Sequence, residues 1–119
     1  MVPPTDKIMS LQPYQAPFYE MNPNGNPSFV IICDHASNAV PTEYANLGLT
    51  EETLASHRGW DIGAAATAQM IADKLDCPAI MSGFSRLLID PNRGLDDPTL
   101  IMQLSDGKII PGNKSLVPG

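Results

Sequence analysis

The chain has 119 residues, 43% of them hydrophobic and 17% charged, with a formal net charge of -6. That balance describes a globular protein about one domain in size, not a disordered polyelectrolyte, and without a basic run it argues against nucleic acid as a partner. Apolar runs are too short to cross a bilayer and no leader-like segment opens the sequence, so two unpaired thiols, Cys33 and Cys77, point to a reduced, cytoplasmic protein with no membrane partner.

Residues 1–28 read as a Pro-rich N-terminal arm, because Pro3, Pro4, Pro13, Pro17, Pro23 and Pro27 allow neither a helix nor a central strand to persist. Tyr14, Phe18 and Tyr19 would dock that arm on the body. From residue 29 to 119 the pattern is that of the N-terminal part of one α/β domain. Phe29-Val30-Ile31-Ile32-Cys33 is continuously apolar, as in a strand covered on both faces. Thr42–Ala45 makes at most a helical turn, stopped by Gly48, and Thr50 caps a short helix over 51–57 with Glu51 and Glu52 in its first turn. Ile62, Ala65, Ala66, Met70, Ile71 and Leu75 recur at helical spacing, which predicts a helix over 62–75 with Asp61 as its N-cap and Cys77-Pro78 as its stop. Ala79-Ile80-Met81 is a second predicted strand and Arg86–Asp90 a third. Leu100-Ile101-Met102 reads as a turn of helix, and Ser105-Asp106-Gly107-Lys108 as a turn before Ile109-Ile110.

Strand, helix, strand, strand implies a right-handed βαβ crossover in a mixed or mostly parallel sheet flanked by helices. So short a chain leaves such a fold incomplete, and an open sheet edge favours self-association into a homo-oligomer.

Polar side chains gather where α/β sheets place their chemistry, beyond strand ends. His35 follows the first strand with Asp34 beside it, as a metal ligand would, or else it bonds neighbouring backbone. Asn38 stands where a carboxylate would complete a His-x-x-Glu pair. Asp61 is either a plain helix cap or an oxygen ligand. His57, four residues earlier, either ligates a metal or meets the carbonyls ending a helix. Arg86, Asn92 and Arg93 suit a carboxylate, because guanidinium presents a planar fork of donors; the structural alternative is a pairing of Asp90 with Arg86 or Arg93. Cys33 with His35 as its base is a further nucleophilic option, set against a buried structural thiol.

The run Ile32-Cys33-Asp34-His35-Ala36-Ser37-Asn38-Ala39-Val40-Pro41, with Leu47-Gly48-Leu49, His57-Arg58-Gly59-Trp60-Asp61-Ile62-Gly63-Ala64, Ser85-Arg86-Leu87-Leu88-Ile89-Asp90-Pro91-Asn92-Arg93, Ser105-Asp106-Gly107 and Ile110-Pro111-Gly112-Asn113, resembles the N-formylglutamate amidohydrolase family from about residue 29 to 114. The resemblance implies a phosphorylase/hydrolase-like α/β fold related to zinc carboxypeptidases and aspartoacylases. It implies zinc-assisted hydrolysis of a small anionic N-acyl amino acid, such as N-formylglutamate, to formate and glutamate. By position His35 resembles the first metal ligand, and Asp61 substitutes for the acid that Asn38 is not. Asn92-Arg93 resembles a pair gripping the substrate carboxylate, with Arg86 placed to polarise the scissile carbonyl. Members of the family are longer, so the chain resembles their N-terminal half; a further histidine ligand and a general-base glutamate would come from the second half. A different class of function, a non-catalytic carboxylate-binding or assembly module or an inactive fragment of the enzyme, would keep the arginines without the metal.

Overall fold

Phe18–Met21 forms strand β1, so part of the Pro-rich arm is strand. The structure is a computed structural model that describes residues 11–114; the ends of the arm and of the chain, residues 1–10 and 115–119, lie outside the described residues. Proline is tolerated around β1 because β1 lies at a sheet edge, where half of the main-chain groups need no ladder partner.

The first predicted strand shortens to Ile31–Cys33 (β2), and the second is Ala79–Ser82 (β3). The sheet order is β1-β3-β2, with β1 antiparallel to β3 and β2 parallel to it. A parallel pair needs a crossover. Glu51–Ala55 (α1), capped by Thr50 through the Thr53 N–H, and Ala64–Leu75 (α2) lie within it. α2 packs on β2 and β3 through Ala68 and Ala72, whose small side chains bring the helix close to Cys33, Ala79 and Met81. Its N-cap is Gly63 in the left-handed region, not Asp61; the Asp61 carbonyl accepts from Ala64, while its carboxylate is drawn elsewhere.

Two further expectations are corrected. Residues 86–90 form no strand: the main chain of Ser85 and Arg86 bonds to Ala39 and Gly59, and Asp90 bonds to Leu100, so the segment is laced to loops instead of joining a ladder. The β2 run is not covered on both faces, because alternation turns Ile32, 69% exposed, away from α2. The predicted turn at 105–108 is the tip of a hairpin of Leu104–Ser105 (β4) and Lys108–Ile109 (β5); Asp106 and Gly107 both have positive φ, the backbone of a two-residue hairpin turn. Residues 100–102 form no helix: the Leu100 N–H closes a turn over residues 97–100 on Asp97 O, and the chain beyond it is not helical.

A second apolar cluster, Val40, Leu47, Leu54, Leu87, Met102 and Ile110, lies beneath the loops. Asn113, wholly buried in a 3-10 turn over Pro111–Asn113, donates through Nδ2 to Leu87 O and Met102 O, both at 2.7 Å. That side chain ties the segment carrying Arg86 and Asp90 to the far end of the chain. Among the described residues no helix is long and apolar enough to cross a membrane.

Candidate functional site

Three loops converge beyond the carboxyl end of β2. The first leaves β2 at Cys33 and carries His35; the second leads into α2 and carries Asp61; the third spans residues 85–93. Asp61 N–H donates to His35 O at 3.0 Å, Ser85 N–H to Ala39 O at 2.7 Å, and Ser85 Oγ to Gly59 O at 2.8 Å, so main chain holds all three in register. Gly59 is required by packing: a Cβ there would stand 1.9 Å from Leu54 O.

The side chains form one ionic centre around Asp90, whose carboxylate is 0% exposed. His35 Nε2 lies 2.7 Å from Asp90 Oδ1, which also accepts from the Asn92 N–H at 2.9 Å. Arg86 Nη2 reaches Asp90 Oδ2 at 3.4 Å, and Arg93 Nε lies 3.6 Å from the same oxygen. Arg86 Nη1 is 3.6 Å from Asp61 Oδ1, while Asp61 Oδ2 is 3.3 Å from His35 Nδ1. The imidazole therefore stands between two carboxylates, one buried and one, Asp61, half exposed.

Burial by itself would raise the Asp90 pKa, but the His35 hydrogen bond, the Asn92 N–H and the charges of His35 and Arg86 outweigh it and hold the carboxyl below its ordinary value of 3.8. Cys33 moves the opposite way. Burial and the nearby carboxylates of Asp61 and Asp34 push its thiol up against an opposing pull from the His35 main chain, which disfavours the thiolate that a nucleophile needs.

Of the residues singled out by sequence, His35, Asp61, Arg86 and Arg93 meet in this one centre. Asn92 contributes its main-chain N–H to Asp90. Asn38 is buried, and its Oδ1 accepts from the Gln12 N–H at 2.9 Å, which ties it to the arm. His57 pairs with Asp106 at 2.6 Å on the hairpin tip, an exposed contact outside the centre. Both structural pairings considered for Asp90, with Arg86 and with Arg93, occur. What sequence reasoning missed is that Asp90 also holds His35, 55 positions away, and spacing carries no signal for that contact.

Fold and site together define an α/β protein with a buried imidazole–carboxylate–guanidinium centre at the end of a parallel strand. Residues 27–117 match the model of the N-formylglutamate amidohydrolase family, and the chain belongs to that family. The crystal structure of gene product Atu2144 from Agrobacterium tumefaciens is similar, with a TM-score of 0.81 and 34% sequence identity over 84% of this chain and 40% of that one. The chain thus spans less than half the length of that relative. No curated protein matches it.

Proposed function

We propose that the chain builds one side of the active site of a metal-assisted amidohydrolase acting on a small N-acyl acidic amino acid of the N-formylglutamate kind, on a phosphorylase/hydrolase-like fold related to zinc carboxypeptidases. The family relationship supplies the amide hydrolysis. The observation that carries the site is the unequal environment of the two His35 nitrogens. Asp90, buried and acceptor-only when ionised, claims the proton of Nε2. Nδ1 faces the Asp61 carboxylate at 3.3 Å, where a cation would take the place of the proton shared between them. Two ligands of a tetrahedral zinc with bonds near 2.0–2.2 Å lie about 3.3–3.4 Å apart, so His35 Nδ1 and Asp61 Oδ2 fit as two of its donors. A carboxylate on the second nitrogen of a metal-bound histidine fixes its tautomer and orientation, which is the place Asp90 occupies.

When bound, the metal would supply Lewis acidity toward the scissile carbonyl and lower the pKa of a water. The chain's own residues do the rest. Arg86, bridged to Asp61 and Asp90, is held rigidly beside the two donors, where its charge opposes negative charge developing on the carbonyl oxygen. Arg93, its side chain 40% exposed, has Nε turned to Asp90 and Nη1 to Asp97, which leaves Nη2 as the donor for the substrate carboxylate, with Asn92 beside it.

Among the described residues no group of three or more His, Cys, Asp or Glu side chains is placed to hold a metal ion. That observation favours a second reading, a carboxylate-binding module that uses the arginines alone.

Equilibrium dialysis against zinc and N-formyl-L-glutamate separates the two. The catalytic reading expects zinc uptake that His35→Ala abolishes and anion binding that Arg93→Ala weakens. Zinc binding that survives His35→Ala unchanged overturns the ligand assignment, and anion binding without any zinc uptake establishes the second reading.

A further inference from the structure

Arg93 is held beside the centre by charge and not by hydrogen bonds. Its Nε lies 3.6 Å from Asp90 Oδ2 and its Nη1 4.0 Å from Asp97 Oδ2, and neither separation is a hydrogen bond. Among the described residues no other group pairs with this guanidinium, whose side chain is 40% exposed. Asp97, in turn, is fixed short of contact. Its Oδ1 accepts from the Thr99 N–H at 2.7 Å and from the Thr99 hydroxyl at 2.6 Å, and the intervening Pro98 restricts the backbone on either side. The Asp97 N–H donates to Gly94 O at 3.0 Å, its carbonyl accepts from the Leu100 N–H at 3.0 Å, and the Asp90 N–H donates to Leu100 O at 2.9 Å. Residues 90–100 are therefore a loop closed at its base and braced within. The two Thr99 bonds, and after them the Arg93 charge, outweigh slight burial and hold the Asp97 carboxyl below its ordinary value of 3.8, so it is ionised at neutral pH. A carboxylate anchored in this way, yet stopping short of the guanidinium, is a fixed negative charge beside donors that remain open to an anion.

We propose that Asp97 is a positioning and selectivity residue of the anion site at Arg93: it turns Nη2 toward the ligand and makes the site prefer a singly charged carboxylate to a doubly charged phosphate monoester. This rests on the reading of Arg93 as donor to the substrate carboxylate and goes beyond it by naming what that donor rejects. Asp90 and Asp97 place two negative charges around one guanidinium, and the neighbouring Arg86 is itself matched by Asp61 and Asp90. The site therefore has no surplus positive charge with which to reward a second charge on the ligand. An anion bonded to Nη2 stands roughly 6 Å from Asp97 Oδ2, where each further unit of negative charge costs about tenfold in affinity at a dielectric between the protein-surface and bulk-water limits. Specificity obtained in this way comes from repulsion of the wrong ligand and not from an added contact to the right one.

Displacement of N-formyl-L-glutamate from the 119-residue chain by acetate and by methyl phosphate tests it, at constant ionic strength and about pH 8, where a phosphate monoester carries about -2 charge. Acetate should displace it from the wild type more readily than methyl phosphate does. Asp97→Asn, which keeps an oxygen for Thr99, should lower the ratio of the methyl phosphate to the acetate dissociation constant by about tenfold. Asp97→Ser also loses the charge and should move the ratio the same way, so the test survives a folding defect in either variant. Asp73→Asn, near the far end of α2, removes an equal charge and should leave the ratio unchanged. A wild type that prefers methyl phosphate, a ratio unmoved by both Asp97 substitutions, or an equal fall in Asp73→Asn overturns the selectivity role and leaves the Arg93 reading intact. Binding of N-formyl-L-glutamate that Arg93→Ala does not weaken overturns that reading and the selectivity role with it.

Discussion

Replacing Asp90 by Asn tests whether the centre is held together by a buried charge or only by shape. The substitution preserves volume and removes one unit of negative charge from a site that is 0% exposed and faces His35 at 2.7 Å, Arg86 at 3.4 Å and Arg93 at 3.6 Å. Removing one partner of a buried ion pair costs about 3–5 kcal/mol. Here the loss is smaller, because Arg86 keeps Asp61, Arg93 keeps Asp97, and both guanidiniums reach solvent, so about 2–4 kcal/mol is expected. For a domain of this size that lowers Tm by roughly 10–25 °C. Urea unfolding of the metal-free protein at neutral pH measures the difference directly. The sign of its pH dependence follows from the depressed pKa. A carboxyl whose pKa is lower folded than unfolded stabilises the fold above its ordinary value of 3.8, and that contribution is lost as pH falls through the folded value. The gap between wild type and Asp90→Asn should therefore be full above about pH 4 and shrink below it. Equal stabilities at neutral pH, or a gap that persists unchanged in acid, would refute the electrostatic account.

Gly59→Ala should unfold the chain or destabilise it by about 3 kcal/mol or more, since its Cβ would stand 1.9 Å from Leu54 O and the loop carrying Asp61 must move; thermal melting checks it. Asn113→Ala strips the donor shared by Leu87 O and Met102 O inside the second core, and about 2–4 kcal/mol of lost stability is expected by denaturant titration, with little change in the slope against denaturant.

Several parts of the fold follow from local chemistry. The 3.6-residue recurrence of apolar positions from Ile62 to Leu75 predicts α2, the short β-branched apolar run ending at Cys33 predicts β2, the short run Ala79-Ile80-Met81 after Pro78 predicts β3, Thr50 caps α1 where its hydroxyl can reach Thr53, and Asp106-Gly107 supplies the positive φ of a hairpin turn. Misreadings occur where a segment's partners are distant. Arg86–Asp90 has the apolar run of a strand, but its main chain is taken up by loops near residues 39, 59 and 100. Asp61 has the position of a cap, but its carboxylate meets His35 and Arg86.

The sequence by itself determined which residue types were available for chemistry: one imidazole after a strand, one acid before a helix, and two guanidiniums flanking another acid. Only the tertiary structure decided that they act on one another. Side-chain periodicity reports burial, which is a local average, whereas a 2.7 Å contact between residues 55 positions apart depends on how the loops are laced. The same physics explains the uncovered face of β2 that carries Ile32, because an apolar run looks identical whether its second face is covered or open.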